Sequence, residues 1–136
     1  MIEKIIYKKK VYALIIRSNF KKKGIHFITD RSDSFQLGYI NYKTNHKIIP
    51  HYHPNQKKIV NTTSEALIIK KGSIQVNFFE LEKQKKYFKS KILKKGDTIL
   101  ILRGGHGFNV IKNVEMIEIK QGPYFDKKSK VRVIKK

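Results

Sequence analysis

At 136 residues the chain has room for one domain and its core, but not for two ordinary domains. It contains no cysteine, which excludes disulfides and thiolate metal sites, so a metal could be held only by imidazole and carboxylate groups. The formal net charge of +21 invites a nucleic-acid reading, yet only Arg17, Arg31, Arg103 and Arg132 of the 31 basic residues are arginine, and the lysines are spread along the whole chain as a solvated surface.

No specific nucleic-acid interface is therefore expected, only weak, salt-sensitive attraction for polyanions and a bias toward small anionic metabolites. The opening MIEKIIYKKK places Glu3 and a lysine run where a signal peptide needs an apolar core. No later apolar run reaches membrane-spanning length, so a cytoplasmic protein without membrane insertion is expected.

Apolar residues come in short runs or alternate with polar ones, and helical periodicity is almost absent. In chain order the pattern predicts strands over Val11 to Ile16, Ile25 to Thr29, Gln36 to Tyr42, Lys47 to Tyr52, Ala66 to Lys70 and Ser73 to Leu81. It continues with Tyr87 to Leu93, Thr98 to Leu102, Gly107 to Ile111, Glu115 to Lys120 and Lys130 to Ile134. Lys71-Gly72, Lys95-Gly96-Asp97 and Gln121-Gly122-Pro123 punctuate these runs as turns, and Glu82 to Lys86 reads as a polar hairpin tip. Many short strands at regular spacing favour an all-β sandwich or barrel, one domain over residues 1–136, rather than alternating strand and helix units.

Three places along this framework could carry chemistry. His51 and His53 stand two residues apart between Pro50 and Pro54, and side chains at i and i+2 of a strand share a face, so both imidazoles can reach one ion. Tyr52 between them would face the other way and pack. Glu65 opens the apolar run Ala66 to Ile69, where a cation is one of few partners able to offset carboxylate burial. His106 sits among Gly104, Gly105 and Gly107, whose conformational freedom can turn one imidazole inward. Taken singly, each also reads as ordinary surface: a wet pair of histidines, a glutamate beside lysines, a loop rich in glycine.

Together they resemble the cupin superfamily, whose motifs are commonly written G-x5-H-x-H-x3,4-E-x6-G and G-x5-P-x-G-x2-H-x3-N. His51 and His53 match the first pair, Glu65 followed by Gly72 matches the end of the first motif, and Gly96 with His106 matches the second. The resemblance spans roughly Gln36 to Lys120. It departs from the family at Asn45, which stands for the first glycine, at Leu102, which stands for the proline, and at His106 and Asn109, which come early. The spacer from His53 to Glu65 holds the eleven residues Pro54 to Ser64, longer than the family pattern, so Glu65 reads as a ligand or as a free carboxylate beside the metal.

The resemblance implies a cupin-like jelly roll with one divalent transition metal, drawn from Zn, Fe, Mn, Ni, Co or Cu. It further implies a metal-dependent enzyme acting by isomerase- or epimerase-type Lewis-acid chemistry on a sugar, a nucleotide-linked sugar or a similar polar metabolite. The Glu118 to Tyr124 stretch and the loop at His106 are similar to those of proteins in bacterial surface-polysaccharide biosynthesis. The alternatives are an iron-dependent dioxygenase and a non-catalytic protein that uses metal to bind a small molecule. Arg103, Tyr39, Tyr42, Lys120 and Gln121 are candidate substrate-binding residues, with the guanidinium of Arg103 suited to a carboxylate or phosphate. Val11 to Ile16, read as an apolar edge strand, predicts a homodimer.

Overall fold

The computed structural model describes residues 1–80, 86–125, 129 and 131–133. Among them there is no helix, and every ladder is antiparallel. Eight strands form: β1 (Ile2–Tyr7), β2 (Lys10–Ile16), β3 (Gly24–Phe27), β4 (Gly38–Asn41), β5 (Glu65–Phe79), β6 (Tyr87–Lys94), β7 (Thr98–Ile101) and β8 (Gly105–Lys120). Six build one sheet in the order β1-β2-β7-β5-β6, with β8 laddered to β5, and β3 and β4 form a separate hairpin. The large sheet curls strongly into a half-barrel. No described helix is long and apolar enough to cross a membrane.

β2 and β7 read as almost continuous apolar runs because both of their faces are covered. Tyr12, Ala13, Ile15, Ile99 and Ile101 join Leu67, Ile69, Ile74, Val76 and Phe78 in the core on the concave side. Leu14, Ala66, Leu100 and Leu102 face outward beneath Val11, Ile28, Phe35 and Leu37, so the segment leading into and out of the small hairpin roofs the other face. The position of β2 between β1 and β7 corrects the reading of Val11 to Ile16 as an exposed edge. β1 was not foreseen, and it covers that edge.

β5 and β8 are each a single strand where the sequence pattern predicted two. The β5–β8 register pairs Glu65 with Lys120 at one end and Phe78 with His106 next to the other end. A straight strand would hold positions 65 and 78 roughly 40 Å apart. The register shifts around Lys71 and Ser73 instead mark a corner, at which core-facing residues change from odd positions (Leu67, Ile69) to even ones (Ile74, Val76). Gly72 makes the corner, with φ +73°, and the carbonyls of Lys112 and Asn113 occupy the space that a Cβ would take. The two halves of β5 thus contribute to one core.

Side chains bridge the far ends of the sheet. Tyr7 of β1 stacks on Phe88 of β6 at 4.3 Å between centroids, and Lys91 of β6 reaches Glu3 of β1 at 2.6 Å. Glu3 also accepts from Arg17 Nε at 2.6 Å, and these two cations hold its carboxyl down at about 2. The folded-state value lies below the unfolded one, so the stabilisation is present above the ordinary glutamate range and fades as pH falls toward 2. Wild type should therefore lose on the order of 2–3 kcal/mol between these limits that Glu3→Gln does not lose, as read by urea unfolding at stepped pH. Identical pH profiles for the two proteins would refute this account of the seam.

The predicted strand over Lys47 to Tyr52 does not form. Pro50 lacks an amide donor and ends the run after two apolar residues, and Ile48 and Ile49 are 56% and 80% exposed with no sheet to pair against. Tyr52, expected to pack, is 83% exposed. Of the predicted terminal strand over Lys130 to Ile134, Val131, Arg132 and Val133 are described and lie in no strand, while Lys130 and Ile134 lie outside the described residues, as does most of the hairpin tip at 82–86.

Candidate metal centre

Glu65 is the first residue of β5, laddered between Ile101 of β7 and Lys120 of β8. Its side chain shares the face of Leu67 and Ile69 and so points to the concave side, where it is 15% exposed. His106, the second residue of β8, shares its face with Phe108, which packs against the same core. The corner at Gly72 folds these distant ladder positions together, and His106 Nε2 lies 3.5 Å from Glu65 Oε1. The other ring nitrogen of His106, Nδ1, is buried without a hydrogen-bond partner, an arrangement that is rare in folded proteins.

Of the glycines around His106, Gly104 alone takes the left-handed conformation that the sequence made available. Gly104 has φ +85°, and a Cβ there would meet the Tyr12 ring at 2.5 Å and the Phe79 carbonyl oxygen at 3.0 Å. Only glycine lets the chain leave β7, pass over Tyr12 and enter β8 with the imidazole turned inward.

His51 and His53 lie on the exposed segment between β4 and β5, outside any strand. Their rings still meet edge to face, 5.3 Å between centroids, and His51 Nδ1 is 3.0 Å from the Ile49 carbonyl oxygen. The four expected ligands are therefore arranged as two pairs, and among the described residues no group of three or more His, Cys, Asp or Glu gathers at one point. The inner pair fits half of a divalent site in donor type, one carboxylate and one imidazole on the wall of a concave sheet. The outer pair, two imidazoles on an exposed segment, is not part of that group.

The expected substrate-binding residues are dispersed. Gln121 fastens the entry to β5, its Oε1 accepting from the Ser64 amide at 2.8 Å and its Nε2 donating to Ser34 Oγ at 3.5 Å. Lys120, opposite Glu65 in the ladder, donates to Glu118 and lies over the Tyr124 ring. The bond to Glu118 first, and the charge of Glu65 after it, raise the Lys120 pKa. Tyr39 packs edge-on against Phe20 at 4.8 Å, and Tyr42 stacks on His46 at 3.6 Å. Arg103 is exposed and borders a small polar cup of about 200 Å³ with Ser32, Asp33, Asn61, Thr62 and Ser64. Ser64 and Leu102 belong to the outward face of the sheet, so this cup opens on the side away from Glu65.

A larger hollow of about 690 Å³ lies against β3 and β1, lined in part by Ile2, Phe20, Lys22, Ile25, Phe27 and Arg31. Ile25 and Phe27 on its wall are 46% and 65% exposed. No family model matches the chain, and neither a curated protein nor a solved structure matches it.

Proposed function

We propose that the chain is a cupin-type jelly-roll protein that binds one divalent transition metal through His51, His53, Glu65 and His106. Its substrate is a small, polar, anionic metabolite, a sugar or nucleotide-linked sugar, and its reaction is an isomerisation or epimerisation of the kind used in bacterial surface-polysaccharide biosynthesis. The observation that carries this reading is the meeting of Glu65 and His106 at 3.5 Å on the concave wall, with a buried, unpartnered Nδ1 on the same ring. In this proposal the exposed segment bearing His51 and His53 has to move over that wall on metal binding, because its imidazoles do not group with Glu65 and His106 without the metal.

When bound, the metal supplies a Lewis acid for a carbonyl or hydroxyl pair. Glu65 contributes the only carboxylate of the set, and His106 is oriented by the Gly104 turn and its contact with Phe108. The ammonium of Lys120, paired across the ladder from Glu65, adds positive field that favours an anionic substrate.

Elemental analysis of protein prepared without a histidine tag tests the reading directly. Near-stoichiometric metal is expected in the wild type. Loss of the metal is expected in His106→Ala and in the His51→Ala, His53→Ala double variant, each with an unchanged circular dichroism spectrum. Loss of two imidazoles should weaken binding at least about 100-fold. Metal retained by the double variant would remove the exposed segment from the site, and metal-free wild type after supply of Zn, Fe, Mn, Ni and Co would end the proposal.

A further inference from the structure

We propose that the outer edge of β8 is the surface through which two copies of this chain pair, antiparallel about a two-fold axis near Val114. The proposal is independent of the metal. The large sheet ends at three strands, β1, β6 and β8. The first two face one another across the seam made by Glu3 with Lys91 and Tyr7 with Phe88. β6 is also guarded by Lys89, Lys91 and Lys94 with no acidic residue among them, the kind of charge that keeps a sheet edge from pairing.

β8 has neither protection. Among the described residues it ladders with β5 alone along its 16 residues, which leaves its other row of amides and carbonyls open. Val110, Ile111, Ile117 and Ile119 are between 45% and 62% exposed on it. Its charges balance, Lys112 and Lys120 against Glu115 and Glu118, in a chain whose net charge of +21 makes most approaches between copies repulsive. A long, apolar, locally neutral edge in so cationic a protein selects a second copy as its occupant, because that strand meets itself without net repulsion.

Antiparallel pairing keeps the concave faces aligned when the axis passes through a residue. With Val114 opposite its own copy, Ile111 meets the partner's Ile117 on the outward face. Lys112 on the other face meets the partner's Met116, with the partner's Glu118 one step along, and no like charges are opposed. The same patch serves on both copies, so the contact closes at two.

Sedimentation equilibrium of the wild type at micromolar concentration should give twice the chain's 16.0 kDa. Ile117→Lys places a charge in both symmetric contacts and should weaken the dimer at least about 30-fold, whereas Ile92→Lys on the outer side of β6 should leave it intact. Because the chain has no cysteine, Ile111→Cys combined with Ile117→Cys gives a second reading, a covalent dimer on mild oxidation, that does not depend on Ile117→Lys folding. A wild type of single-chain mass, a dimer untouched by Ile117→Lys, or no cross-link in the cysteine variant would each overturn the proposal.

Discussion

Gly72→Ala should cost about 2–5 kcal/mol and lower the melting temperature by roughly 10–20 °C, although it adds one methyl group. The new Cβ would lie 1.9 Å from the carbonyl oxygen of Asn113 and 2.4 Å from that of Lys112. Both are backbone atoms of β8, so no side chain can rotate away, and relief requires the two strands to separate at their corner. The φ of +73° adds the strain of a left-handed conformation for any residue with a Cβ. Gly96→Ala is the control, because its φ of +85° carries the same strain while its Cβ would meet one atom closely, Ser18 Cβ at 2.8 Å, against carbonyls at 1.9 and 2.4 Å at Gly72. Urea unfolding should rank Gly72→Ala clearly below Gly96→Ala. Equal losses would show that the close approach at the corner yields freely. Since the corner also brings Glu65 to His106, the proposed metal site predicts that Gly72→Ala binds less metal than wild type in the fraction that still folds.

The same glycine shows how far the sequence could be read. Lys71-Gly72 is punctuation in any reading, but the pattern that ends a strand at a turn is also the pattern that bends a strand at a corner. What separates the two is whether the flanking residues keep the same ladder partner, and that depends on β8, forty residues on. For this reason the all-β class, the turn at Gly96 and the inward His106 were legible, whereas the unity of β5 and β8 was not. β1 escaped notice because only Ile5 among its residues is buried, as befits a sheet terminus held by side chains. Lys47 to Tyr52 misled because Ile48 and Ile49 look like the start of a strand, while pairing needs an open ladder next to them. At Glu65 a carboxylate heading an apolar run called for a cation, and what the structure places beside it is the imidazole of His106, at 3.5 Å.

The second large effect belongs to Asp97, and its size follows from how many donors one carboxylate satisfies. Asp97 is 3% exposed in the turn between β6 and β7. Its Oδ2 accepts from Arg17 Nη1 at 2.8 Å and from the Lys94 amide at 3.0 Å, and its Oδ1 accepts from the Ser18 amide at 2.9 Å. Arg17 in turn donates to Glu3 and to the Ile92 carbonyl, so one guanidinium joins the end of β2 to β1, β6 and the turn. Asp97→Ala removes three acceptor contacts at once and leaves two backbone amides and part of a mostly covered cation unpaired. The expected loss is about 3–5 kcal/mol. Arg17→Met removes the charge but leaves Asp97 its two backbone donors and Glu3 its bond to Lys91, so it should cost less. If the network acts as a unit, the Arg17→Met, Asp97→Ala double variant should be less destabilised than the sum of the singles by about 1–3 kcal/mol. Strict additivity would mean that Arg17 and Asp97 stabilise the fold separately, with Asp97 acting through the turn alone.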